Sequence, residues 1–429
     1  MKPNFSTVLK WYGFPVEEAK AIFKEAQAAD KKTWQTEKMW EIFNFHYKNN
    51  EFYRTFVGKK FTNWNDIPVI RPKDLKGDCL SKIPSIINTK KLYISRTSGT
   101  SSVPLYFTRD PLTHAIVWEN VSYFYGKAGI LLDDRQARMF GMSKKALDVA
   151  KNRVKDWISN RYRFNIFNLS DEALDGWVKR FRYGNFKYIY GYNNSLVVFA
   201  QYLINRNYTL KSIAPSLISC IITSELCSPK DAQILSKGFD IPIYNEYGTS
   251  ELGIMGFKDN SYPHWDCSDE LIYLEVLDEN GTPVPDGEMG YLAGTDLFNK
   301  ATPFIRYQVG DLAKIRRIDS HTQIIELMGR TNDLAIFPSG RKIPGFSFYF
   351  VVLNSINTLC DVKEFLFRQT SEGFNFEYVA DKPLNDAERL KIKNTIDLHF
   401  KEDIKLSAVK VEKLERGKSG KFKQFISEI

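Results

Sequence analysis

Residues 186–244, FKYIYGYNNSLVVFAQYLINRNYTLKSIAPSLISCIITSELCSPKDAQILSKGFDIPIY, place an aromatic and β-branched run at 186–190 ahead of a helical pattern at 195–205. A second extended run follows at 218–223, then a helix opened by Ser228-Pro229 and reaching 237, then a third extended run at 241–244. Extended runs alternating with helical segments imply parallel strands joined by crossover helices. The same texture reaches upstream, with 137–142 extended and 171–183 helical. Further back, a short strand at 91–95 leads into a small-residue loop and then a helix with Asp110 as N-cap and Pro111 at its first position. Apolar spacing of three and four at 16–29 and 34–48 predicts two amphipathic opening helices.

Downstream the texture changes. Residues 271–327 read as strands and turns, punctuated by Asn280-Gly281 and Asp286-Gly287, which predicts a β-rich subdomain. After Gly329-Arg330 come extended segments near 346–353, 363–369 and 374–380, a helix at 385–400 and a last strand near 408–414. This describes a small α/β unit of about one hundred residues, large enough to fold alone. The expected organisation is a large N-terminal α/β domain with a β-rich subdomain over 1–331 and a small C-terminal α/β domain over 332–429, with the boundary near Asn332.

At about 150 residues per domain, a chain of 429 holds two or three domains and a sizeable core. Apolar residues at 43% and charged residues at 26% exclude disordered and collagen-like classes, and an aromatic share of 14% supplies flat surface to line pockets. The net charge of +9 favours anionic ligands over nucleic acid, since no zinc finger, RNP sequence or basic zipper is present. Part of it is local: 144–187 holds eleven Lys/Arg against five Asp/Glu, which reads as a solvated basic face. Five scattered cysteines (Cys79, Cys220, Cys227, Cys267, Cys360) suit a reducing cytoplasm. The first fifteen residues lack the apolar core of a signal peptide, and apolar patches such as 196–200 and 348–353 are core-sized, so no membrane span is expected.

Three short segments carry chemistry. Arg96-Thr97-Ser98-Gly99-Thr100-Ser101-Ser102-Val103-Pro104 packs five hydroxyl residues around a glycine, which suits either phosphate oxygens or an ordinary Ser/Thr-rich turn. Asn245-Glu246-Tyr247-Gly248-Thr249-Ser250-Glu251 follows a strand end, where open α/β sheets hold ligands. There Tyr247 could stack on a base and Glu251 could offer magnesium a hard oxygen, or the segment is a plain capping turn. Ile305-Arg306-Tyr307-Gln308-Val309-Gly310-Asp311 ends a predicted strand in a carboxylate suited to two vicinal hydroxyls, or to a β-turn.

These segments, with Gly329-Arg330-Thr331-Asn332-Asp333 and Glu415-Arg416-Gly417-Lys418-Ser419-Gly420-Lys421, occur in the order and approximate spacing of the adenylate-forming superfamily, the group of acyl-CoA synthetases, luciferases and nonribosomal adenylation domains. Within it the chain most resembles the phenylacetate-CoA ligase branch and its capsule-biosynthesis relatives of the CapK type. The resemblance implies that Thr97, Ser98, Gly99 and Thr100 cradle the ATP phosphates. It places Tyr247 against adenine, with Gly248 and Thr249 in the same segment, Ser250 by the α-phosphate, Glu251 on Mg2+, Asp311 on the ribose and Arg330 on the nucleotide. Ser224-Glu225 would form the adenosine wall. Lys421 would be the catalytic lysine, carried with Glu251 into one site by a mobile C-terminal lid. Asn332 stands at the hinge, where relatives often have Asp or Lys.

The implied activity is ATP-dependent activation of a carboxylic acid as an acyl-adenylate, followed by transfer to CoA or another acceptor. The alternatives are transfer to an amine or sugar in surface polysaccharide synthesis, AMP transfer to a cofactor, and a non-catalytic nucleotide-binding scaffold. His264 and Cys267 are two ligands short of a closed zinc site, so zinc is not expected. Tyr188-Ile189-Tyr190-Gly191-Tyr192 flanks the acyl pocket or packs in the core. The acid, the acceptor and the oligomeric state stay open, a homodimer being one option.

Overall fold

The first helices are set by their caps. Asn4, Asp30 and Asn50 each accept a hydrogen bond from the backbone N–H three residues on, opening helices Phe5–Trp11, Lys31–Asn49 and Glu51–Val57. Helix Val16–Ala28 buries Val16, Ala19, Phe23 and Ala26 and lays that face on the long helix Pro111–Lys127. The two expected amphipathic helices are therefore present, with short helices before and after them. The computed structural model describes residues 4–97, 104–141, 153–330, 334–355, 362–416 and 422–429.

Strands β1 (Tyr93–Arg96) and β2 (Tyr106–Arg109) pair antiparallel as a separate ribbon. The expected order of strand, loop and helix thus omitted β2, a four-residue strand ending directly at the cap Asp110. Asp110 and Pro111 open the helix Pro111–Lys127 as the sequence predicts.

Strands β3 (Gln136–Phe140), β4 (Arg161–Asn165), β5 (Tyr188–Tyr192), β6 (Ser219–Thr223) and β7 (Ile243–Thr249) pair parallel with one another. Helices Asp171–Gly184, Asn193–Asn205 and Pro229–Phe239 cover one face around Phe181, Phe199 and Phe239. Pro111–Lys127 covers the other through Phe124 and Tyr125. Ser228 and Asp231 close a reciprocal capping box at the predicted helix start.

The chain then turns back. Strand β8 (Gly253–Asp259) pairs antiparallel with β7, and β9 (Trp265–Cys267), β10 (Ile272–Leu277), β11 (Gly290–Asp296), β12 (Tyr307–Ile318) and β13 (His321–Arg330) extend the same sheet to eleven strands, ordered β10-β11-β12-β13-β9-β8-β7-β6-β5-β3-β4. The β-rich stretch begins earlier than 271 and joins the parallel part through the short β9–β13 pairing. Asp311 lies inside β12, not at its end.

After β14 (Leu334–Ile336) and β15 (Lys342–Pro344), residues expected to be extended near 346–353 form the helix Phe346–Ser355. This run is apolar almost throughout, so it has no periodicity to distinguish a buried helix from a buried strand. Phe348 sits with ring centroids 4.7 Å from both Phe374 and Phe400. Strands β16 (Val362–Thr370), β17 (Gly373–Ala380), β18 (Leu406–Lys410) and β19 (Phe425–Ser427) form a second sheet, ordered β18-β17-β16-β19, with the helix Asp386–Phe400 and a core of its own. The last predicted strand is β18, shorter and earlier than expected, while β19 is only three residues long and carried no pattern. Among the described residues no helix is long and apolar enough to cross a membrane.

His46 is fully buried between the Asn299 carbonyl, 2.8 Å from Nε2, and the Asn50 amide nitrogen, 3.3 Å from Nδ1. Those partners fit a neutral ring that donates from Nε2 and accepts at Nδ1, and burial pushes its pKa down from 6.5 to about 4. The unfolded chain takes up that proton first, so the stability His46 confers is complete above pH 6.5 and is lost as pH falls towards 4. On acidification from pH 7 to 4.5, wild type should lose on the order of 2 kcal/mol more than His46→Gln in urea unfolding. Parallel losses in the two proteins would show that His46 does not titrate in this window.

Candidate active site

The ends of β7 and β12 meet at a turn. A Cβ at Gly248 would collide with the Gly253 carbonyl, so only glycine lets β7 and β8 close this tightly. Within the turn the Thr249 hydroxyl accepts from the Leu252 amide at 3.1 Å. Arg109, arriving from β2 and only 5% exposed, donates through Nη2 to the carbonyls of Ser250 (2.9 Å) and Glu251 (2.8 Å). The Glu251 carboxylate accepts from the Tyr307 hydroxyl at 2.9 Å. Tyr247 reaches across to β12 and donates to Asp311 Oδ2 at 2.6 Å.

A cavity of about 990 Å³ opens beside this turn. Thr97, Ser224, Gly248, Thr249, Ser250 and Glu251 line it, so residues from three separate predicted segments come together. Tyr247 and Asp311 are joined to each other but do not line it; their chain neighbours Gly248 and Gly310 do. Glu225 points elsewhere: its carboxylate accepts from the Asn194 amide at 2.8 Å and the Phe422 amide at 2.6 Å. Arg330 ends β13 directly opposite Asp311. Ser98, Gly99, Thr100, Asn332, which the resemblance places at a hinge, and Lys421 lie outside the described residues.

The C-terminal chain nevertheless reaches the cavity. Lys423 and Ser427 line it, and β19 runs parallel to β16 and fixes this tail. Lys423 is half-buried. Glu364 of β16 accepts from the Asn194 side chain at 2.6 Å and also pairs with Arg416, a second tie between the C-terminal sheet and the large sheet.

Deeper in the cavity, Glu246 accepts from the hydroxyls of Tyr190 (2.7 Å), Tyr125 (3.1 Å) and Thr223 (3.2 Å). Burial pushes its carboxyl pKa up, against the lowering effect of those three hydrogen bonds. Burial and the Glu246 charge also hold the Tyr125 and Tyr190 hydroxyls well above their ordinary range. Glu246, Arg109 and Tyr307 were missed as site residues. Glu246 stood inside a quoted motif, but only a three-dimensional register shows its hydroxyl partners.

Among the described residues no group of three or more His, Cys, Asp and Glu side chains could hold a metal ion. The lone Glu251 carboxylate, fixed by Tyr307 and facing a cavity, still fits magnesium, which usually takes one or two carboxylates plus substrate phosphates and waters.

The whole chain has the fold of the adenylate-forming ligases. Its backbone matches 2-hydroxyisobutyryl-CoA ligase in the postadenylation state with 2-HIB-AMP at a TM-score of 0.70 and 15% identity, over 96% of this chain and 90% of that one. The same ligase in the thioesterification state with 2-HIB-AMP and CoA gives 0.57 at 15% identity over the same shares. ATP-bound MatB from Rhodopseudomonas palustris gives 0.54 at 16% identity, over 79% of this chain and 68% of MatB. In sequence the chain is similar to Protein CapK of Staphylococcus aureus, 21% identical over 319 residues, 70% of this chain and 68% of CapK. It is also similar to phenylacetate-coenzyme A ligase of Thermus thermophilus, 29% identical over 111 residues, 24% of this chain and 25% of that ligase. No family model matches.

Replacing Arg109 by Met strips both turn carbonyls of a charged donor in a buried setting, a loss on the order of 2–4 kcal/mol. Arg109→Met should therefore lower the thermal midpoint and speed hydrogen exchange at the Leu252 amide. Unaltered exchange at Leu252 would mean that the guanidinium does not hold the turn.

Proposed function

We propose that this protein is an ATP-dependent ligase that joins a carboxylic acid to AMP and then passes the acyl group to CoA or another nucleophile. The observation that carries this reading is the convergence of Thr97, the Ser250-Glu251 turn and the C-terminal Lys423 on one cavity. Residues 332–429 would act as the lid and residues 1–331 as the nucleotide and acid domain. The better match to a postadenylation structure than to a thioesterification one supports a lid placed for the first half-reaction.

In adenylation a substrate carboxylate oxygen bonds to the α-phosphorus while the bond to pyrophosphate breaks, and the electron pair leaves with pyrophosphate. An anion attacks an anion, so this chain must lower the repulsion. Thr97 and Ser250 offer hydroxyls at the cavity wall, and Arg71, Lys73 and Lys76 add positive charge there. Magnesium held by Glu251 would neutralise phosphate charge when bound. Tyr247 and Asp311, bonded to each other, would hold the nucleoside, Asp311 accepting from ribose hydroxyls. Lys421, whose neighbour Phe422 is tied to Glu225, would bring an ammonium to the reacting carboxylate. In the second step a thiolate or other nucleophile bonds to the acyl carbon and AMP leaves. CoA is the first choice of acceptor because relatives in sequence and in structure are named as CoA ligases. A cytoplasmic setting, where ATP and CoA are available, belongs to the same reading.

Acid-dependent exchange of labelled pyrophosphate into ATP checks the first step. Glu251→Gln and Lys421→Ala should each slow it by about 100-fold or more, the scale of losing one transition-state charge partner. Lys421→Ala should keep the ATP-induced rise in thermal midpoint. Wild-type exchange rates in Lys421→Ala, with a large loss in Lys423→Ala, would transfer the role to Lys423.

A further inference from the structure

On the reading just given, we propose that the acid activated here carries a second anionic group, and that Arg138 with Arg161 holds it at the far end of the cavity. Both side chains line the cavity together with Gln136 and Tyr188. They stand on adjacent strands at the edge of the large sheet, β3 and β4, whose register sets Arg161 beside Gln136 and Arg163 beside Arg138.

The local charge does not balance. Arg161 Nε lies 2.5 Å from Asp156 Oδ1, and Arg163 forks onto the same carboxylate at 3.0 and 3.1 Å. Arg138 has no share in Asp156. It stacks its guanidinium 4.2 Å from the Phe140 ring centroid and 5.0 Å from that of Tyr190. Among the described residues its one hydrogen bond is a long 3.3 Å contact from Nη1 to Gln136, and its buried Nε has no partner. Among the described residues, three guanidiniums on these two strands therefore have one bonded carboxylate between them. Glu246, the next acid along the wall, is occupied by three hydroxyls, and counting it still leaves a surplus of positive charge. Burial, followed by the Arg138 charge, depresses the Arg161 pKa against the raising effect of Asp156. A buried donor without an acceptor costs about 1–3 kcal/mol, and an anionic ligand between these side chains would remove that cost.

Position separates this cluster from the triphosphate. Strands β6 and β5 lie between β7, which carries Glu246 and Tyr247, and β3. At about 4.8 Å per strand step the backbones of β7 and β3 stand about 14 Å apart, with the Tyr190 ring between Glu246 and Arg138. The wall between them presents Trp118, Tyr125, Tyr188 and Tyr190. The ligand chemistry that fits is an extended or aromatic acid with the reacting carboxylate at one end and a carboxylate or phosphonate at the other.

The test compares terephthalate, adipate and suberate with their monomethyl esters, and 5-phosphonopentanoate with pentanoate, in pyrophosphate exchange. The dianionic member of at least one pair should exceed its partner by about 30-fold in kcat/KM, the worth of one charge-assisted pair. In Arg138→Met that ratio should collapse towards one, in Arg138→Lys it should partly survive, and ATP should still raise the thermal midpoint of both. Monoesters matching or exceeding the diacids, or a ratio unmoved in Arg138→Met, would overturn the proposal. Calorimetric titration of terephthalate against its monomethyl ester needs no turnover. Diacid binding that depends on Arg138 supports the anion site even where every acid is silent in exchange, in which case the ligase reading fails instead. Absence of such binding together with silence in exchange removes both.

Discussion

A buried guanidinium holding two carbonyl oxygens organises this molecule's centre. Arg109 leaves β2 and donates to Ser250 and Glu251 with one nitrogen, so the ribbon of β1 and β2 is tied to the β7–β8 turn. Its charge is met across the interior by Asp296, whose own carboxyl burial pushes up to about 6. Asp296 also accepts from the amides of Phe298 and Asn299, and Asn299 reaches back to the Thr108 carbonyl beside Arg109. The circuit closes on itself, which is why the Glu251 side chain can be presented to a cavity without a rigid secondary element beneath it.

Around that circuit the cavity divides by chemistry. Near the turn it is lined with hydroxyls, the Glu251 carboxylate and the cations Arg71, Lys73 and Lys76. Its waist is aromatic and carries Glu246 under three hydroxyls. The C-terminal chain seals one side because Glu225 accepts the Phe422 amide and Glu364 accepts from Asn194. These ties join two part-buried carboxylates to one backbone amide and one side-chain amide, each on the scale of about 1.5–3 kcal/mol for a hydrogen bond to a charged group.

Much of the fold was legible because crossover units leave a periodic trace. The runs at 186–190, 218–223 and 241–244 fall on β5, β6 and β7 within a few residues, and the Ser228-Pro229 cap is where the sequence put it. The helix Phe346–Ser355 was not legible, because a segment buried on every side has no polar face to set a period. Strand β19 was not legible because three residues are too few to show alternation. In the site, the motif containing Tyr247 and Glu251 and the one containing Asp311 could each be quoted. Their direct bond spans 64 positions and follows only from the sheet order that sets β7 and β12 on either side of β8, β9 and β13. Arg109 had no signature at all, since a single arginine before a helix cap looks like any other.

The positive end of the cavity bears on how the acid must lie. Were Arg138 to bind the reacting carboxylate, that carboxylate would sit on β3 and face away from the Ser250-Glu251 turn, with two strands between it and the phosphates. Were Arg138 to serve the nucleotide, the aromatic waist would separate the phosphates from the hydroxyls of Thr97 and Ser250 that line the other end. Only a ligand bearing charge at both ends satisfies the turn and the arginines together while laying its apolar middle against Tyr188 and Tyr190. The two ends of the cavity thus act as a length gauge: a monoacid leaves one cation cluster uncompensated, and a diacid too short to cross two strands reaches only one of them.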